Sequence, residues 1–178
     1  QLLQQRKNPS WLYSIDQGAT TIWERWDSYT IEGGFNKHEW NMNSFNHYSY
    51  GAVAEWFYAG MAGIQTSDYS ITTIGKSGWK HFVLCPHIDT RPDALILAVN
   101  GERITWARAK TRTPEGIITA KWQLKGDGRI TYEVSIPQDA TATVMMPMAS
   151  ADDMVLVDGQ TVKDGTTIAL RKHFEVKG

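Results

Sequence analysis

The spacing of apolar residues changes period once along this chain, near Trp79, and that change limits the fold more than any other feature. Upstream, the regular spacing is helical. From Ser44 to Gln65, residues Phe45, Tyr48, Ala52, Val53, Trp56, Phe57, Met61 and Ile64 recur mostly at three- and four-residue steps, which predicts a helix with one packing face. Tyr50, Ala54 and Tyr58 make its other side apolar too, as in a helix buried within a larger helical assembly. Pro9 with Ser10 starts a short aromatic-rich segment, and Thr21-Ile-Trp-Glu24 matches a capping box that would open another helix. Two or three helices cannot surround an aromatic helix, so this half either packs on the second half of the chain or comes from a bigger helical domain.

Downstream the period is two. Ile118, Ala120, Trp122 and Leu124 alternate with polar residues, as do Ile130, Tyr132, Val134 and Ile136, on either side of Gly126-Asp127-Gly128. This predicts an antiparallel hairpin with one buried and one wet face. His81–Cys85, Ala94–Val99, Ala142–Met146, Met154–Val157 and Thr167–Val176 read as further strands, several ending in turn pairs such as Asn100-Gly101 and Asp158-Gly159. Seven or eight short strands with tight turns point to a β-sandwich. The expected class is α+β, with helices over 1–78 and an antiparallel sandwich over 79–178.

Charge narrows the partners. Eighteen basic residues against 19 acidic ones leave a formal charge of −1, so the balance gives no electrostatic grip on nucleic acid or an anionic membrane. No apolar run approaches a membrane span. With neither a nucleic-acid nor a membrane partner expected, a neutral substrate fits best. Cys85 stands alone, which excludes an intrachain disulfide and leaves the compartment open. The opening QLLQQRKN lacks both an initiator Met and a signal-peptide core, so the chain is expected to start inside a longer product. His38-Glu39 and His47 have no recognisable metal-ligand spacing, and no phosphate-cradling loop is present, so neither a metal nor another cofactor is expected.

The densest chemistry lies in ATTIWERWD, residues 19–27. Glycoside hydrolysis needs carboxylates flanking the scissile bond, and Glu24 between Trp23 and Trp26 offers a carboxylate beside large aromatic faces that suit sugar rings. Spacing alone leaves a second role open, in which Glu24 returns a hydrogen bond to the Thr21 cap. His47, in NSFNHYSYG, is open in the same way between a hydrogen-bonded packing residue and a ligand contact. Glu55 reads as a solvated face residue, and pairing Glu24 with Asp27, Glu32 or Glu39 would not supply the walls of a sugar pocket. Trp79, Trp106 and Trp122 raise a separate reading, a carbohydrate-binding sandwich, although Trp122 alternates onto the apolar face.

GATTIWERWD followed by MNSFNHYSYGAVAEWFY resembles the end of the catalytic domain of α-L-rhamnosidases, glycoside hydrolase family 78. Weaker similarity runs through PSWLY at 9–13, Trp106-Ala107, PEGIITAKW at 114–122 and YEVSIP at 132–137. The resemblance implies that the first half is the tail of an (α/α)6 barrel and the second half a C-terminal β-sandwich. It further implies an inverting reaction on a rhamnose-containing glycan or glycoside, with Glu24 as the general base and His47 lining the sugar subsite. The general acid would lie upstream, in the remainder of the parent enzyme, so the chain alone is expected to be inactive. The loop through Glu32, His38 and Glu39 and the stretch from Arg91 to Arg103 depart from the family pattern, and specificity is left open there.

Overall fold

Ser10 opens the first helix, α1 (Trp11–Asp16): its Oγ accepts a hydrogen bond from Tyr13 N at 3.0 Å, pairing a backbone donor that the helix start would leave free. The computed structural model describes residues 3–37, 42–66, 78–91, 103–147, 155–157, 160–162 and 173–177. The chain divides into two compact units, Gln1–Ala54 and Glu55–Gly178. The expected strand at Ala94–Val99, the turn at Asp158-Gly159 and His38-Glu39 lie outside the described residues.

In the first unit α1 is followed by a small antiparallel hairpin of β1 (Tyr29–Thr30) and β2 (Gly34–Phe35). Its described buried residues are Ser10, Ser14, Ser28 and Trp23, so serines outnumber apolar side chains at its centre. Those serines tie turns together. Ser14 Oγ donates to Trp26 O at 2.9 Å, and Ser28 Oγ donates to Arg25 O at 3.0 Å. Large apolar side chains instead face outward, including Ile31, Phe35 and Met42, with Tyr48 86% exposed.

Two helix expectations need correction. No helix begins at Thr21, because the groups a capping box would use are engaged elsewhere. Thr21 Oγ1 donates to Phe45 O, and Glu24 N donates to Ser44 O at 2.9 Å, so residues 21–24 lie along residues 44–47. The helix expected over Ser44–Gln65 is shorter and mixed, with a 3₁₀ turn at Tyr48–Ala52, α2 at Val53–Trp56 and a π turn at Phe57–Met61. Its start is lost because the segment before Tyr48 is committed to that pairing, His47 N donating to Ile22 O at 2.8 Å. Its end is lost because Gly63 takes φ +81° and turns the chain into β3 (Ile64–Gln65). Tyr48, Trp56 and Tyr58, expected on apolar faces of a buried helix, are exposed.

The second unit contains β4 (His81–Leu84), β5 (Trp106–Thr113), β6 (Gly116–Leu124), β7 (Ile130–Ser135), β8 (Thr141–Val144), β9 (Val155–Val157), β10 (Gln160–Val162) and β11 (His173–Lys177). The larger sheet has strand order β10-β9-β11-β7-β6-β5 and is antiparallel throughout. The smaller has order β3-β4-β8, and its β4–β8 pair is parallel, a departure from the purely antiparallel expectation. Ile64, Phe82 and Leu84 from the smaller sheet meet Ile118, Ala120, Trp122, Tyr132 and Val134 from the larger in one core. Burying Phe82, Leu84, Ile118 or Val134 contributes roughly 1.5–3 kcal/mol each. The predicted hairpin is β6–β7, with Trp122 opposite Tyr132 and Ala120 opposite Val134. Both large side chains also use their polar ends: Trp122 Nε1 donates to Met61 O at 2.6 Å and Tyr132 Oη to Ala62 O at 3.1 Å. The architecture is α+β, a short helical part followed by a β-sandwich. No helix among the described residues is long and apolar enough to cross a membrane.

Candidate active site around Glu24

Glu24 sits where two extended segments meet, and the backbone of Ser44 holds it at both ends. Glu24 N donates to Ser44 O at 2.9 Å, while Ser44 N donates to the carboxylate Oε2 at 2.8 Å. A backbone N–H aimed at a carboxylate makes a charge-assisted bond, which fixes that oxygen in place. Oε1 has no partner among the described residues and stays available as a proton acceptor. Asn43 anchors the same strap: its Nδ2 donates to the carbonyl of fully buried Ser28 at 3.1 Å.

Aromatic rings flank the carboxylate on both sides in sequence. Trp23, the buried indole among the described residues of the unit, meets Phe45 edge-on at 5.3 Å, and Phe45 meets Phe35 at 5.6 Å. Trp26 stacks on Tyr50 at 3.9 Å with 9° between planes, and Trp11 meets Trp26 edge-on at 5.1 Å while its Nε1 donates to Tyr50 O at 3.0 Å. Glu24 is thereby carried on a strap whose neighbours are locked by ring contacts rather than by a helix.

His47 lies on the partner segment, tied by its backbone to Ile22. Its ring runs nearly parallel to that of exposed Tyr48, 16° between planes with centroids 6.4 Å apart. His47 Nδ1 and Asn43 Oδ1 are both buried with no hydrogen-bond partner among the described residues. Buried polar atoms are normally paired, and these two unpaired ones lie four residues apart on one strap.

The other acidic residues take separate roles. Asp27 receives Arg25 Nε and Asn36 Nδ2, each at 3.3 Å. Glu32 is exposed between β1 and β2, and Glu55 is exposed on α2. Among the described residues no group of three His, Cys, Asp or Glu could hold a metal ion. Sequence reasoning singled out Glu24 and His47 but missed Ser44 and Asn43, whose only signal is their place at the head of the NSFNHY string.

The profile of the bacterial alpha-L-rhamnosidase C-terminal domain matches residues 71–161, half of the chain, and that of the bacterial alpha-L-rhamnosidase 6 hairpin glycosidase domain matches residues 1–61. The chain belongs to the bacterial α-L-rhamnosidase family. It is 39% identical over 169 residues to an α-L-rhamnosidase of Streptomyces avermitilis and 36% identical over 169 residues to one of Formosa agariphila. These alignments take in 94% and 95% of this chain but only 14% and 16% of the relatives, so it spans a small part of their length. Among solved structures the α-L-rhamnosidase from Dictyoglumus thermophilum superposes with a TM-score of 0.68 at 25% identity, covering 98% of this chain and 18% of that one. The two profiles match consecutive parts of the chain, one ending at residue 61 and the other beginning at residue 71.

Proposed function

We propose that the chain is the C-terminal part of an inverting α-L-rhamnosidase acting on rhamnose-containing glycans or glycosides, with Glu24 as general base and His47 as a sugar contact. Residues 1–78 supply the closing part of the catalytic (α/α)6 barrel, their end adding β3 to the C-terminal sandwich that residues 79–178 form. The observation that carries this reading is the seating of Glu24: one carboxylate oxygen is fixed by Ser44 N–H and the other is free. Oε1 takes a proton from a water as that water attacks the anomeric carbon, and the glycosidic oxygen departs with a proton from a separate acid. Inverting enzymes hold the two carboxyls roughly 6.5–9.5 Å apart to admit that water. His47 Nδ1, buried and unpaired, is suited to a sugar hydroxyl.

The acid is assigned to the remainder of the parent enzyme, so the chain alone is inactive. Proton NMR of the sugar first released by the parent enzyme tests the stereochemistry: the β anomer is expected, and the α anomer overturns the inverting reading. An assay of the purified chain with an aryl α-L-rhamnoside tests the missing acid. No turnover is expected, and turnover abolished by Glu24→Gln would overturn it.

A further inference from the structure

We propose that the outer face of the larger sheet, at Trp106, Arg108, Lys110 and Arg112, binds an acidic polysaccharide carrying uronate carboxylates, in addition to the site at Glu24. Strand β5 carries Ala107 and Thr113 into the interior and turns its four large residues outward. Trp106 is 66% exposed, and Arg108, Lys110 and Arg112 are exposed with it. Same-face residues along a strand are about 7 Å apart, so the four form a row about 20 Å long. Such a row suits a chain better than a small molecule.

The register fixes which residues lie beside that row. Gln123 is opposite Trp106, Lys121 opposite Arg108 and Thr119 opposite Lys110, and the next strand adds Thr131, Glu133 and Ser135. Four cations therefore share the β5–β7 face with one carboxylate. Glu133 pairs with Lys121 at 3.3 Å, and among the described residues Arg108, Lys110 and Arg112 have no ion pair. The whole chain carries a formal charge of only −1, so this is a local concentration of positive charge.

Each component matches a feature of an acidic glycan. An exposed indole covers the apolar face of a sugar ring. Guanidinium groups take carboxylates in a two-point fork. Gln123, Thr119 and Thr131 offer partners for ring hydroxyls. Charged side chains on a strand also discourage sheet-to-sheet pairing, but that role has no use for an exposed Trp. Single-stranded nucleic acid would need a series of stacking platforms, and this row has one.

The test is calorimetric titration of the full chain with polygalacturonate, with neutral dextran and single-stranded DNA as controls. Polygalacturonate is expected to bind saturably and more weakly as ionic strength rises, while dextran does not bind. Trp106→Ala should weaken binding about tenfold, and the triple variant Arg108→Gln, Lys110→Gln, Arg112→Gln should abolish it. All four positions are exposed, so the fold should survive, which far-UV circular dichroism checks; single Arg108→Gln, expected to weaken binding, replaces the triple variant if that one does not fold. The proposal is overturned if polygalacturonate is not bound, if Trp106→Ala and the charge variants leave its affinity unchanged, or if DNA binds as tightly through the same residues. Because the readout is binding, Glu24→Gln should leave it untouched, and failure of the catalytic reading does not move it.

Discussion

Gly63 and Gly128 have nearly the same backbone conformation, φ +81° and φ +83°, but different surroundings, and replacing each with Ala separates strain from contact. A Cβ at Gly63 would lie 2.3 Å from Pro86 N and 2.6 Å from Cys85 C, both backbone atoms, whereas one at Gly128 meets nothing within 4 Å. Both variants carry the left-handed penalty of about 1–2 kcal/mol. At Gly63 the two backbone segments must also move apart, straining the bond from Cys85 N to Gly63 O, 2.8 Å, and that from His87 N to Gly60 O, 2.9 Å. Leaving such groups unpaired costs about 1–3 kcal/mol. Gly63→Ala should therefore destabilise by about 2–5 kcal/mol and Gly128→Ala by about 1–2 kcal/mol. Urea unfolding followed by circular dichroism reads the difference. With slopes of about 1–3 kcal/mol/M, the extra cost of about 1–3 kcal/mol at Gly63 should separate the midpoints by about 0.3–3 M at unchanged slope. Equal destabilisation within about 0.5 kcal/mol would refute the close approach of residues 63 and 85–86.

Three further outcomes rest on single interactions. Tyr132→Phe removes the donor to Ala62 O from a fully buried site and should cost about 1–2 kcal/mol, seen by calorimetry as a Tm lower by about 2–8 °C; an unchanged Tm means that bond contributes nothing. The Arg91 guanidinium, bonded to Asp89 at 2.7 Å, holds that carboxyl at about 2 against an ordinary 3.8. A depressed carboxyl stabilises the fold above its ordinary value and loses that contribution as pH falls, so the stability gap between wild type and Arg91→Ala should shrink from pH 3.8 to about 2; a constant gap contradicts the pairing. In the parent enzyme Asn43→Ala frees the strap that carries Ser44 and should lower kcat about tenfold to a hundredfold with KM little changed; a raised KM at constant kcat would place Asn43 in binding rather than positioning.

What could be read from the residues depended on which side chains carried the signal. The β6–β7 hairpin was legible because large apolar residues alternate with polar ones and a Gly-Asp-Gly turn separates them. Strand β5 was not, because its inward positions include Ala107, Ala109 and Thr113, which leave no hydrophobic alternation. The parallel pairing of β4 with β8 joins residues 60 apart, beyond any local pattern. The Thr21–Glu24 spacing misled for the opposite reason: residues able to close a capping box instead bond to residues 20 or more positions away. The apolar period over 44–65 is real, but two pairing commitments and a left-handed Gly63 cut the helix at both ends. At the site, family resemblance drew attention to Glu24 and His47 where spacing left alternatives. The contribution of Ser44 came only from the fold, since it acts through its backbone.

The role of Glu24 is tested most directly by the kcat of the parent enzyme carrying Glu24→Gln on an aryl α-L-rhamnoside, with folding checked by circular dichroism. Gln keeps the size and can still accept from Ser44 N–H but cannot take a proton from water, so kcat should fall about a hundredfold to ten-thousandfold with the fold intact. Hydrolysis at near wild-type rate would contradict the assignment of Glu24 as the base.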